Sequence, residues 1–247
     1  MEYILSIDDT DNLNTPGTGE HLEEIAKQLK LRFDCDCTRV TRHQLFFSPL
    51  VKYTSHNSSM SVVLHTEKPV LEVFDFACGY LEKNAAEGSD PGICMLCKDT
   101  LLKRQQEELN AYGKKAKTQY IEKEEAFALA GRMGILLREL GGEGIGVIGA
   151  LAGAALRLSG NDGRYKGKID LGQNQDNMLC RDILSHPLID KIMTEDKMEL
   201  DGGCEVFITD KIKTVHIDNR AVLLVKKQKI GQKEVYVNLS KQELKKY

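Results

Sequence analysis

Asp8, Asp9 and Asp11 place three carboxylates within four consecutive positions, in the run Ile7-Asp8-Asp9-Thr10-Asp11. Three such charges repel one another unless a cation sits among them or water solvates them. Mg²⁺ takes one or two carboxylates together with phosphate oxygens and water, a set this segment can supply. Asp8, Asp9 and Asp11 are therefore candidate metal ligands, with Asp8 or Asp11 as the anchor and Asp9 orienting water or shielding the ion. The loop that follows contains Pro16, Gly17, Thr18 and Gly19. Backbone N–H groups of Gly17, Thr18 and Gly19 fall at the start of a helical pattern, an end that attracts anions through its unpaired amides and its dipole. Arg39 and Arg42, in the next strand-like segment, could neutralise charge in a transition state. Phosphoryl or nucleotidyl chemistry asks for such a set: a positioned metal, cations and N–H donors rather than covalent help. The same residues also fit a solvated turn in which an Asp caps the following helix.

These residues need elements to hold them. Tyr3-Ile4-Leu5 reads as a buried strand, which puts the aspartates at its carboxyl end. Leu22, Ile25, Ala26, Leu29 and Leu31 recur at helical spacing, so a helix is expected over about 20–32. Strands are expected over 35–42 and 61–65, and a helix over 69–83. Residues 84–92 form a loop, 93–97 fit a short strand, a helical run begins at Asp99, and a longer helix is expected over 122–140. Gly141 to Leu158 is free of proline and turns Ala-rich, which predicts a glycine loop opening into a tightly packed helix. Gly144, Gly146 and Gly149 meet the GxGxxG spacing, but a helix rather than a strand precedes them, so they are not a dinucleotide fingerprint. They border a phosphate or substrate group, or simply let a small-residue helix pack closely. Beyond 160 the texture changes: a strand is expected over 165–171, 172–203 is polar and turn-rich with one short helix, and 205–238 is strand-dominated, with strands over 205–209, 221–226 and 235–239 and a hairpin turn at Gly231. Strands and helices mixed without strict alternation predict an α+β or mixed α/β fold.

Composition narrows the classes. The chain has 247 residues, 41% hydrophobic and 29% charged, as expected of a globular protein with an ample core. A net charge of −3 supplies no bulk attraction for nucleic acid, so RNA remains open as a partner but is unsupported by charge. Lys114, Lys115 and Lys117 make the most basic local run, read as solvated surface. No segment is apolar over the length a membrane span requires, and no secretory signal is evident, which together predict a cytoplasmic protein. The seven cysteines are expected to be reduced thiols. Cys94 and Cys97 have CxxC spacing, and Cys35 or Cys37 could complete a metal or redox site, but small apolar strand residues are the simpler reading.

Several blocks occur in order: Ile7-Asp8-Asp9-Thr10-Asp11, the Arg39–Arg42 strand, Asn57, Asp90-Pro91-Gly92, and the run from Gly144 to Ala152. Together they resemble the archaeal isoleucine-tRNA 2-agmatinylcytidine synthetases over residues 1 to about 160, with a fainter continuation through 205–209. The resemblance implies a kinase-like ATP-binding domain and a second, ferredoxin-like domain, expected here as 1–118 and 119–247. The family's oligonucleotide-binding barrel and zinc ribbon have no apparent counterpart. It implies Mg²⁺ and ATP as cofactors, with Asp8, Asp9 and Asp11 holding metal and phosphates. Thr18 falls at the position of a reactive threonine. Arg39, Arg42 and Asn57 match residues near the active site, and Gly144, Gly146 and Gly149 the glycine-rich helix start. The family's Cys-Thr-Thr loop is Gly17-Thr18-Gly19 here, its Gly-Asn-Gly loop is His56-Asn57-Ser58, and an arginine between two glycines is Ile145. The resulting expectation is an ATP-dependent ligase or kinase-like enzyme. It would act on a small molecule, an amine among the options, or on an RNA, and a homodimer is open. The alternatives are a nucleotide-binding regulatory module without turnover, or a metal or redox protein built on Cys94 and Cys97.

Overall fold

A computed structural model gives the fold and describes residues 1–49, 51, 57–172, 177–209, 211–230 and 233–247. The chain divides into two units, Met1–Ser159 and Gly160–Tyr247. A boundary at 118/119 would fall inside the first of these.

The first unit is built on β1 (Glu2–Asp8), whose apolar run is buried on both faces because helices cover both. After it come α1 (Thr18–Phe33), β2 (Asp36–Cys37), β3 (Thr41–Gln44), β4 (Ser58–His65), α2 (Val70–Asn84), β5 (Gly92–Cys97) and α3 (Lys103–Ala116). The unit ends with α4 (Lys123–Met133), β6 (Leu136–Glu139) and α5 (Gly146–Leu158). The strands pair antiparallel in the order β6-β5-β1-β4-β3, with β2 also on β4. Side chains alternate across this sheet. Tyr3, Leu5, Ile7, Ile93 and Met95 face a layer supplied by Leu22, Ile25 and Leu29 of α1 and Val73, Phe74, Ala77 and Leu81 of α2. Ile4, Cys94 and Leu96 face α3, α4 and α5, where Leu109, Tyr112, Ala126, Leu129, Ala150, Leu151 and Ala154 close the opposite core. Each large apolar side chain buried in these layers contributes roughly 1.5–3 kcal/mol.

The second unit contains β7 (Arg164–Tyr165), β8 (Met178–Leu179), α6 (Cys180–Leu184), β9 (Lys191–Thr194) and β10 (Glu205–Phe207). These are followed by β11 (Val215–Ile217), β12 (Arg220–Ile230), β13 (Lys233–Asn238) and a short 3₁₀ turn, Glu243–Lys246. Its strands run β7-β11-β12-β13-β10-β8, with β9 parallel to the middle of β12 and β10 parallel to β13. Ile183, Ile192, Val206, Leu223 and Val225 are buried in its larger core.

The mixed α/β class matches the sequence expectation, and so do α1, α2, α5 and most of the strands. The differences have local causes. The helix expected over 122–140 ends at Met133 because Gly134 adopts φ 66°, a left-handed cap suited to glycine. The chain then turns back as β6. The strand expected over 35–42 is split into β2 and β3. The helical run from Asp99 begins only at Lys103, and the strand expected over 165–171 is reduced to β7 plus an isolated bridge between Ile169 and Ile212. Strand β9 lies in a stretch read as turn-rich. The Gly231 turn and His56 lie outside the described residues. Among the described residues, no helix is long and apolar enough to cross a membrane.

Candidate functional site

Strand β1 ends at Asp8, and there the chain bends sharply: Asp9 has φ 50°, a left-handed conformation that Asp tolerates better than most residues. The Asp9 N–H donates to Asp8 Oδ1 at 3.0 Å. The next residue, Thr10, is fully buried, and its carbonyl accepts the Ala86 N–H at 3.0 Å, which ties the acidic loop to the loop before β5. Asp11 turns towards α1, where Thr18 Oγ1 donates to Asp11 Oδ1 at 2.7 Å.

Two helix ends converge on these carboxylates. Gly17 is the N-cap of α1 and provides no side-chain cap, while its carbonyl accepts the Glu20 and His21 N–H groups. The amides of Thr18 and Gly19, both buried, are left without an acceptor among the described residues. At α5 the first turn also lacks a side-chain cap. It lies directly against β1 and β5: a Cβ on Gly149 would stand 1.6 Å from Asp8 Oδ2, and one on Gly146 would stand 2.1 Å from the Asp90 carbonyl oxygen. The glycines are therefore needed for close approach, the packing alternative raised for them, and that approach sets the start of α5 beside Asp8. Asp90 holds the preceding loop, since its Oδ1 accepts the Gly144 N–H at 3.1 Å and also the Glu143 N–H.

Burial and mutual repulsion hold two of the corner's carboxylates towards their protonated forms. Burial pushes the Asp8 carboxyl up to about 8, Asp9 and Asp11 push the same way, and the Asp9 N–H and Arg42 act against them. Asp9 is pushed up to about 6, first by burial and then by Asp90 and Asp11. Arg42 sits between Asp8 and Asp11 in charge terms. Burial lowers its pKa, the two aspartates raise it, and its Nε donates to Ser58 Oγ at 3.0 Å. His21 is buried, with Nε2 lacking a partner among the described residues; burial lowers its pKa while Asp11 and Glu20 raise it.

Crowded carboxylates that hold their protons are the mark of a place where a cation is stabilising. No three His, Cys, Asp or Glu side chains among the described residues form a ready-made metal cage. The carboxylates present do not make an all-protein site; a divalent ion here would need phosphate and water to complete its shell.

A pH dependence follows. The unfolded chain releases the Asp8 proton near pH 3.9, whereas the folded chain keeps it to about pH 8. Between those limits the folded state binds more protons, so its stability declines as pH rises across that window. Thermal melts in chelator should show this decline, flattened in Asp8→Asn. Parallel slopes for the two proteins would contradict the assignment.

Of the residues singled out in the sequence, Asp8, Asp9, Asp11, Gly17, Thr18, Gly19, Arg42, Gly144, Gly146 and Gly149 gather around this corner. Two do not join it in the expected way. Arg39 precedes Arg42 by three residues, about 10 Å of extended chain, near Thr38, whose N–H bonds the Val63 carbonyl. Arg39 is not among the charges acting on Asp8. The Asn57 side chain donates to the Phe46 carbonyl at 2.7 Å and its own carbonyl accepts the Leu45 N–H, so it braces the loop after β3. Asp90, Ser58 and His21 were not singled out as site residues. Asp90 stood in one of the ordered blocks, and the other two carry no spacing signal.

The cysteine alternative does not survive the register. Cys94 faces the α5 side of the sheet and Cys97 packs towards the α1 side, so the pair cannot chelate one ion. Burial raises the pKa of Cys94 and pushes Cys37 and Cys78 up to about 12, which leaves them as inert thiols.

No protein-family model and no curated protein matches the sequence. Solved structures do. Apo TiaS, a tRNA agmatidine synthetase, superposes with a TM-score of 0.54 at 19% identity, over 63% of this chain and 35% of that one. The chain shares the TiaS fold. A tRNA fluorescent labeling enzyme matches with a TM-score of 0.54 at 21% identity, over 63% and 36% of the two chains. TiaS in complex with tRNA, AMPCPP and agmatine gives 0.53 at 16% identity, over 85% and 50%. That last share exceeds what residues 1–159 alone could supply, so the TiaS likeness continues into the second unit, where the sequence resemblance was faint. The chain spans half or less of the length of these TiaS structures.

Proposed function

We propose that this chain is a Mg²⁺- and ATP-dependent enzyme of phosphoryl or nucleotidyl transfer or ligation, taking the ATP phosphates at the Asp8–Asp11 corner. The observation that carries the reading is the meeting of protonation-prone carboxylates with the open first amides of α1. Carboxylates alone would repel a triphosphate, and amides alone would attract any anion. Their combination selects an anion that brings its own cation.

Asp8 and Asp11 are the residues that would hold Mg²⁺, which when bound supplies charge neutralisation for the phosphates. The Thr18 and Gly19 amides donate to phosphate oxygens. Arg42, held by Ser58, offsets charge that develops on the transferred group. The Thr18 hydroxyl donates to Asp11 at 2.7 Å, which fixes that hydroxyl at the mouth of α1 beside the open amides. The acceptor substrate is an RNA or an amine-bearing small molecule, a reading supported by the tRNA and agmatine present in the TiaS complex that shares the fold.

Calorimetric titration with ATP tests the reading. Binding is expected with Mg²⁺ and is expected to vanish in excess chelator. Equal affinity in both, or none in either, would overturn it. Binding without ATP consumption in any substrate mixture would instead favour the regulatory module, which Ile145 suggests by standing where the resemblance expects an arginine.

A further inference from the structure

On the outer surface of the α1/α2 layer lies a groove of about 480 Å³, lined by Gln28, Arg32, Phe76, Gly79, Tyr80, Lys83 and Asn84. It uses none of the residues assigned to the Asp8–Asp11 corner. Its chemistry is uneven for a surface whose composition is otherwise balanced. Arg32 lies over the Phe76 ring at 5.0 Å, and Phe76 is braced in turn by Phe33 at 5.4 Å. A guanidinium resting over a ring still has N–H donors for an acceptor such as phosphate. Arg32 and Lys83 are both exposed, and neither forms an ion pair among the described residues. Tyr80 offers a second ring, held edge-on at 6.0 Å by the buried His21. Between them Gly79 leaves the floor open, for a Cβ there would meet nothing within 4 Å.

We propose that this groove binds a mononucleotide, with the base against Tyr80 and Phe76 and the phosphate on Arg32 and Lys83. Two unpaired cations beside two aromatic rings match a ligand that joins a planar base to an anion, and they match neither a purely apolar nor a purely ionic one. The volume accommodates a single nucleotide. Among the described residues the lining carries no carboxylate of its own, Glu24 reaching it only through Gln28 and Tyr80, so binding there needs no divalent ion, which separates it from the Asp8–Asp11 corner.

The test is equilibrium dialysis of AMP in excess EDTA, with adenosine and inorganic phosphate as half-ligands. Wild type is expected to retain AMP at least tenfold better than either half. Gly79→Leu fills the open floor at a helical position where glycine is unfavourable, so it should melt no lower than wild type and lose AMP by at least tenfold. Arg32→Glu should lose it likewise, and Asp8→Asn should keep it. No AMP retention by wild type, or full retention by a folded Gly79→Leu, would overturn the proposal. Loss confined to Asp8→Asn would assign the AMP to the other corner and overturn it equally.

Discussion

Gly92→Ala is expected to unfold the first unit at temperatures where wild type is stable. A Cβ at this position would stand 2.1 Å from the carbonyl carbon of Gly146, 2.2 Å from the amide nitrogen of Val147 and 2.4 Å from the Gly146 carbonyl oxygen. All three are backbone atoms, so no rotamer change relieves the clash. Relief requires α5 to lift from β5, which would open the core in which Ala150, Leu151 and Ala154 meet Cys94 and Leu96. Overpacking a core ordinarily costs about 1–3 kcal/mol, and an immovable neighbour places this case at or above the upper end. Domains hold only about 5–15 kcal/mol in all. Gly131→Ala is the control: it lies exposed in α4, its Cβ would meet nothing within 4 Å, and the change should stabilise by roughly 0.5–1 kcal/mol. Thermal melts of the three proteins decide the matter. A Gly92→Ala protein melting with wild type would mean that α5 does not rest on β5.

Asp8→Asn and Asp11→Asn should each weaken Mg²⁺-dependent ATP binding by tenfold or more, about 1.4 kcal/mol or above. Each change keeps the shape of the side chain and removes the charge that a divalent ion requires. Asp11 should matter more, because its carboxylate also fixes the Thr18 hydroxyl at the mouth of α1. Gly149→Ala reaches the same result by another route, since its Cβ and Asp8 Oδ2 cannot occupy positions 1.6 Å apart and the carboxylate must move. Asp75→Asn, exposed and paired with Arg138 at 3.0 Å, should leave ATP affinity unchanged. Calorimetry on the four variants measures this. Equal losses in all four, or none, would separate the corner from the nucleotide.

Much of the first unit was legible because its signals are local. The apolar run of β1, the helical spacing of Leu22, Ile25 and Leu29, and the proline and glycines around Thr18 each specify an element without reference to the rest of the chain. The acidic corner was legible for the same reason: its carboxylates are neighbours in sequence and cannot be far apart in space. What escaped notice depends on distant pairing. Ser58 matters only because β4 lies beside β3 and brings its hydroxyl to Arg42. Asp90 matters because its loop wraps the start of α5. Arg39 and Arg42 looked equivalent in the sequence, and only the ladder separates them by about three residues of rise. The overlong helix at 122–140 shows the limit of periodicity. Leu136 and Leu137 continue the apolar pattern, yet the left-handed Gly134 ends the helix and hands the same residues to a strand.

The account rests on divalent metal and triphosphate meeting where β1 ends. A crystal structure of the protein with Mg²⁺ and AMPCPP tests this most directly. The expected result is a metal ion touching Asp8 or Asp11, phosphate oxygens at the Thr18 and Gly19 amides, and Arg42 turned to the same group. Nucleotide bound elsewhere, with Asp8, Asp9 and Asp11 unchanged and metal-free, would contradict it.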